Sequence, residues 1–236
     1  MRQLRGLVVA GCLLLAACGG GRAGPRHAVV DYRDFVKLDG TLYYVADHGV
    51  GRAIERRDLG PVLAVVRGNP PRNDPSMRYR PRDGDAAFLA AGSPVYTVKG
   101  YRPGFRLAAS HHGRLRLYEA NDAVGARTGA DLLDLAGKVR YLSVNSGRVE
   151  LARIRDRPQV AELVRNVLEA PVGPSRGRAE RRYCFVVFNM VDRTAVRRAF
   201  FPETGELMPG VFAPREFSTA VERALRGRQE RCGRGA

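Results

Sequence analysis

The chain has 236 residues, 40 Lys and Arg against 24 Asp and Glu for a formal charge of +16, and 44% hydrophobic residues. Such a length holds one ordinary domain or two small ones, and such an apolar fraction builds a core, which excludes a large multidomain enzyme and wholesale disorder. No apolar run reaches the roughly 20 residues of a membrane span, which excludes a polytopic membrane protein.

Every basic residue except Lys37, Lys99 and Lys138 is arginine. A GC-rich genome produces that skew, so the choice of Arg over Lys carries little information. The excess of positive charge is a separate matter. It implies attraction to anionic surfaces such as lipid headgroups, wall polymers or nucleic acid.

Arg2 and Arg5 form a short positive region, and Leu7 through Ala17 is apolar, broken only by Gly11. This run is too short to span a bilayer and reads as a secretory signal. Leu15-Ala16-Ala17-Cys18 resembles the lipobox of bacterial lipoproteins. The resemblance implies cleavage before Cys18, a thioether to diacylglycerol at its thiol with further acylation (palmitate in character), and a place on the extracytoplasmic face of the bacterial cell membrane. Residues 1–17 are then the signal peptide, and 18–27 the lipidated Cys and a flexible tether rich in glycine. Two or three acyl chains anchor far more firmly than one. Outside the cytoplasm nucleic acid drops out as a partner. Anionic lipid, wall polymer or another envelope protein remains.

The expected fold is α+β, with a strand-rich half over 28–122 and an α+β half over 123–236 that carries two amphipathic helices and a basic tail. Residues 34–38 and 41–45 flank Asp39-Gly40, the strongest short hairpin signal there is. Pro61 to Val66 reads as a short buried strand, and 68–84 as a long polar loop dense in turn formers. Strands follow at 94–98, 105–109 and 114–118, the last two joined by a turn at Ser110-His111-His112-Gly113. In the second half a short helix or turn over 130–135 precedes strands at 139–144 and 149–154. Asp156 caps a helix whose Val160, Leu163, Val164, Val167 and Leu168 recur at helical spacing until Pro171 stops it. Residues 182–191 and 194–201 form a hairpin about Asp192-Arg193, the first strand apolar on both faces and therefore central. Pro214 opens a final helix with Phe217, Val221, Ala224 and Leu225 on one stripe.

Leu38-Asp-Gly-Thr-Leu-Tyr-Tyr44, Asp58-Leu-Gly-Pro-Val62 and the run from Asp83 to Tyr101 follow one another in an order that resembles small secreted lipoproteins of Gram-positive bacteria. The resemblance spans roughly Asp34 to Ala109. It implies an envelope location and no particular catalysis. The same residues also have a purely structural reading, with Gly92 and Gly100 punctuating a strand whose Tyr96 and Val98 share a face.

Candidate chemistry is thin. His27 lies in the tether, His111 and His112 in a turn, and Asp47-His48 has no nucleophile motif beside it. Cys-x-x-Cys and His-x-x-x-His spacings are absent, so no metal site is expected. Asp83 and Asp85, with Asn73-Asp74, suit turn capping better than a cation loop. The sequence holds no phosphate-cradling or dinucleotide fingerprint, and no cofactor is expected. Once Cys12 is removed and Cys18 acylated, Cys184 and Cys232 are an even pair outside the cytoplasm, which suggests a disulfide. Arg176, Arg178, Arg181, Arg182, Arg197 and Arg198 crowd the late part of the chain as a candidate anionic-surface binding patch. The resulting expectation is a lipid-anchored, non-catalytic binding or scaffolding module of the envelope. The alternative is an envelope hydrolase acting on wall material. A two-lobed solute-binding protein is disfavoured because repeated βαβ units are missing.

Overall fold

The computed structural model describes residues 33–46, 49–69, 79–175, 182–227 and 232–234. The signal segment, Cys18, the tether with His27, Asp47-His48, Asn73-Asp74, Arg176, Arg178 and Arg181 lie outside the described residues.

Hairpin chemistry sets the first sheet. Asp39 and Gly40 both take positive φ, +47° and +71°, which closes β1 (Phe35–Leu38) onto β2 (Thr41–Val45) with Leu38 opposite Thr41. The same two-residue solution recurs at His112 and Gly113, φ +49° and +75°, between β5 (Arg106–His111) and β6 (Arg114–Ala123). Positive φ at both central residues matches the right-handed twist of paired strands. With β3 (Leu59–Val65) and β4 (Pro94–Val98) these strands form one antiparallel sheet in the order β1-β2-β6-β5-β4-β3. Tyr96 and Val98 do pack together, with Ile54 and Ala108.

The expected buried strand near Pro61 is instead this sheet's edge. Val62, Leu63 and Val65 are exposed, and Pro61 fits there because an edge strand can do without one N–H. An apolar run records that a strand forms, not which neighbours cover it.

The second sheet holds β7 (Val139–Ser146), β8 (Val149–Ile154), β9 (Arg182–Met190), β10 (Ala195–Phe201), β11 (Glu206–Leu207) and β12 (Val211–Phe212), ordered β12-β11-β10-β9-β7-β8, and β13 (Gly233–Arg234) also pairs with β9. β9 is central, as its apolar faces require. After α1 (Gly129–Leu132) come the two longer helices, α2 (Arg157–Glu169) and α3 (Arg215–Ala224). Asp156 caps α2 by accepting from Gln159 N at 3.0 Å. Val160, Leu163, Val164 and Val167 of α2 and Phe217 and Val221 of α3 join Leu142, Val144, Val186, Phe188, Val196 and Phe200 in one core.

The α+β expectation is therefore corrected. The chain is strand-dominated, two antiparallel sheets with short helices, and its second half is itself a seven-stranded sheet on which α2 and α3 lie. The error has a physical source. Two-residue strands such as β11, β12 and β13 have no periodicity to read, so the two helices weigh too heavily in a reading from pattern. Among the described residues no helix is long and apolar enough to cross a membrane.

The sheets meet where the segment after β2 crosses to β10. Gly51, at φ +73°, lies so close that a Cβ there would sit 2.7 Å from Ala195 N. Arg52 then donates from Nε to Asp192 O at 2.7 Å and pairs with Asp58 through both nitrogens of its fork, at 2.6 and 2.9 Å.

Candidate functional site

The strongest concentration of chemistry lies between the two sheets. Cross-strand register places Arg106 of β5 opposite Glu119 of β6, and Glu119 opposite Tyr44 of β2, so these three form a row on one face. Arg106 is fully buried and Glu119 is 3% exposed. Arg106 donates from Nε and Nη2 to Glu119 Oε1 at 3.0 and 2.7 Å, while Arg198 of β10 donates from Nη1 to Glu119 Oε2 at 2.6 Å. One carboxylate therefore serves two guanidiniums. Burial alone would raise the Glu119 pKa, but the charges of Arg198 and Arg106 outweigh it and hold the carboxyl below its ordinary value.

These arginines also finish the free edge of β10. Arg106 Nη2 donates to Ala195 O at 2.8 Å, Arg198 Nη1 to Arg197 O at 3.1 Å, and Met208 N to Ala199 O at 2.8 Å. β11 reaches only the Phe200–Phe201 end, and side-chain donors satisfy the carbonyls it misses. Arg106 Nη1 donates to Thr194 Oγ1 at 2.9 Å, and the Tyr101 hydroxyl donates to Asp192 Oδ2 at 3.0 Å. Burial, opposed in part by Arg106, pushes the Tyr101 hydroxyl up to about 12, so it remains a donor at neutral pH.

Beside this row opens a cavity of about 190 Å³, whose lining includes Arg33, Tyr44, Glu119, Asn121, Arg197 and Arg198. Asn121 comes there through a β-bulge. The β2–β6 register steps between Leu42 and Tyr43, leaving Asn121 unpaired in the ladder, and bulges commonly redirect a side chain in this way. Arg33 is exposed and lies over the Tyr44 ring at 4.4 Å. Arg197 is half-buried, lies 3.4 Å over the Phe185 ring and donates from Nη2 to Gly147 O at 2.8 Å. Burial pushes its pKa down, and Arg148 acts the same way. The buried Nε atoms of Arg197 and Arg198 have no hydrogen-bond partner among the described residues. Glu119 is the one carboxylate among the described residues lining this cavity.

Arg197 and Arg198 thus sit in a cleft and not on a solvated face, whereas Arg182 is exposed at the start of β9. Arg106 and Glu119 were missed in the sequence. The available signal was a charge among apolar residues, Arg106 beside Leu107-Ala108-Ala109 and Glu119 in step with Leu115 and Leu117.

The other candidates fall elsewhere. His111 ends β5 with its ring 6.3 Å from Phe88, burial lowers its pKa, and its buried Nδ1 has no hydrogen-bond partner among the described residues. Asp83 accepts from Gly40 N at 2.9 Å and Asp85 from Arg82 N at 2.6 Å, so both serve turns. The described residues hold no cluster of three or more His, Cys, Asp or Glu able to bind a metal. Cys184 is buried in β9, and Cys232 precedes β13; both are free thiols that share a hydrogen bond. Compared with protein-family models, curated proteins and solved structures, the chain matches none.

Proposed function

We propose that this protein is a lipid-anchored, non-catalytic binding module on the extracytoplasmic face of a bacterial cell membrane, with the arginine cleft as its binding site. The anchor reading rests on Leu15-Ala16-Ala17-Cys18 and the charged and apolar segments before it. The binding reading rests on one observation, the surplus of positive charge around Glu119. Arg33, Arg197 and Arg198 line the cavity and Arg106 lies behind it, while Glu119, the one carboxylate among the described lining residues, pairs with Arg106 and Arg198 alone. Desolvated charge is costly unless paired, so such a surplus favours an anionic guest.

Fractionation of cells fed a labelled fatty acid tests the anchor. The wild-type chain should be processed and labelled in the membrane, and Cys18→Ser should lose the label and accumulate as precursor or in the medium. A processed, lipid-labelled Cys18→Ser protein at the membrane would overturn this reading.

A further inference from the structure

The geometry points to a phosphate-type oxyanion as the guest of the arginine cleft, an assignment that rests on reading the cleft as a binding site but not on the lipid anchor.

Charge selects the class. With Glu119 bonded to both Arg106 and Arg198, at most one of those two cations is balanced. Arg33 and Arg197 have no ion pair among the described residues. The surplus around the cavity is thus more than one elementary charge, which suits a phosphate better than a single carboxylate. Guanidinium forks match the geometry of phosphate oxygens and are less strongly hydrated than ammonium groups, so they tolerate this half-buried setting.

Position selects the mode of entry. The three arginines that line the cavity are graded in burial, with Arg33 exposed, Arg197 intermediate and Arg198 9% exposed. An anion entering past Arg33 meets Arg197 and stops against Arg198, whose place is fixed by Glu119. Asn121 adds an amide that the bulge leaves free of the ladder. At about 190 Å³, room for about six waters at about 30 Å³ each, the cavity admits a phosphate together with a small substituent, and a ligand larger than that would leave its remainder outside. A lipid headgroup and a free phosphate share this chemistry.

Calorimetric titration of the full chain in non-ionic detergent tests the assignment, with inorganic phosphate, glycerol phosphate and acetate as probes at matched ionic strength. Saturable one-to-one binding of a phosphate probe, weakened at least tenfold by Arg197→Gln and by Arg33→Gln, supports it. Neither variant touches the Arg106–Glu119–Arg198 bonds, so both should fold, and unchanged unfolding transitions establish that they do. Sedimentation with phosphatidylglycerol vesicles against phosphatidylcholine vesicles separates the sources: cleft-dependent retention assigns a headgroup, and soluble binding without it assigns a free phosphate. Acetate binding as tightly as phosphate overturns the phosphate assignment and leaves an anion-binding module. Binding of no anion, or binding indifferent to both variants, overturns the assignment and the cleft's role together, while the fatty-acid label at Cys18 still reports separately on the anchor.

Discussion

Glu119 shows how much rests on one side chain. Its two oxygens hold guanidiniums from both sheets, and those guanidiniums in turn satisfy carbonyls of β10. Glu119→Gln should cost about 3–5 kcal/mol, because it leaves Arg106 and Arg198 charged and buried without a counterion. That is a large share of the roughly 5–15 kcal/mol that stabilises an ordinary domain. Chemical denaturation of wild type and variant at neutral pH measures it. The pH dependence has a definite sign. Glu119 is held below its ordinary 4.5, and Asp58 is held at about 2 by its hydrogen bond to Arg52. Groups depressed on folding contribute stability that is present above their unfolded pKa and is lost as pH falls through the folded one. Stability should therefore decline from about pH 4.5 towards 2, and Asp58→Asn should flatten the part below its ordinary 3.8. Asp34 works the other way, since burial raises its carboxyl despite the Tyr118 hydrogen bond. Residues of this kind are hard to find in a sequence. A buried carboxylate is named by its partners, and Arg198 lies 79 positions from Glu119.

Among the elements, those with a local cause were legible. Asp39-Gly40 specifies its hairpin, Asp156 and Pro171 bound α2, and the run from Cys184 to Phe188 marks a central strand. Elements defined by distant neighbours were not, and β13 is the clearest case. The tail from Arg226 onward has no large apolar residue, so nothing local in it marks a strand. Gly233 and Arg234 nevertheless pair with Tyr183 and Arg182. One further step of that register sets Cys232 opposite Cys184, and directly opposed residues lie about 4.5–5.5 Å apart at Cα, within the range a disulfide accepts. The hydrogen bond from Cys184 lowers the Cys232 thiol against the effect of burial, while the same bond and burial raise Cys184. We expect mass spectrometry of the oxidised, unreduced chain to show these two peptides linked, and reduction to cost roughly 3–4 kcal/mol in the chain-entropy model. Two free thiols after exposure to a dithiol oxidant would falsify the pairing.

At the scale of the whole molecule, the sequence conveys the class of each longer element better than it conveys architecture. The signal and lipobox proposed here rest on consecutive residues, so that reading needs no fold. The short strands of the seven-stranded sheet are defined by their pairing partners and not by local pattern, and that is where the α+β expectation failed. The cleft lies in between. Its late arginines were visible as a cluster, but their burial and their tie to Glu119 arise only when β10 meets β6. The histidines have no part in the binding account, so His111→Ala and His112→Ala should leave retention on the cleft's ligand unchanged. Loss of that retention in a folded variant would revive the hydrolase alternative.

The central claim, an arginine cleft between the sheets that is completed by an anion, is tested most directly by thermal unfolding of the full chain in phosphate against chloride at equal ionic strength. A ligand bound only by the folded state stabilises it by about 2.7 kcal/mol at a hundred times its Kd. The account predicts a melting temperature that climbs and continues to rise logarithmically with phosphate in the wild type, and a much smaller rise in Arg197→Gln. Equal melting temperatures in the two salts, or an equal rise in the variant, would contradict it.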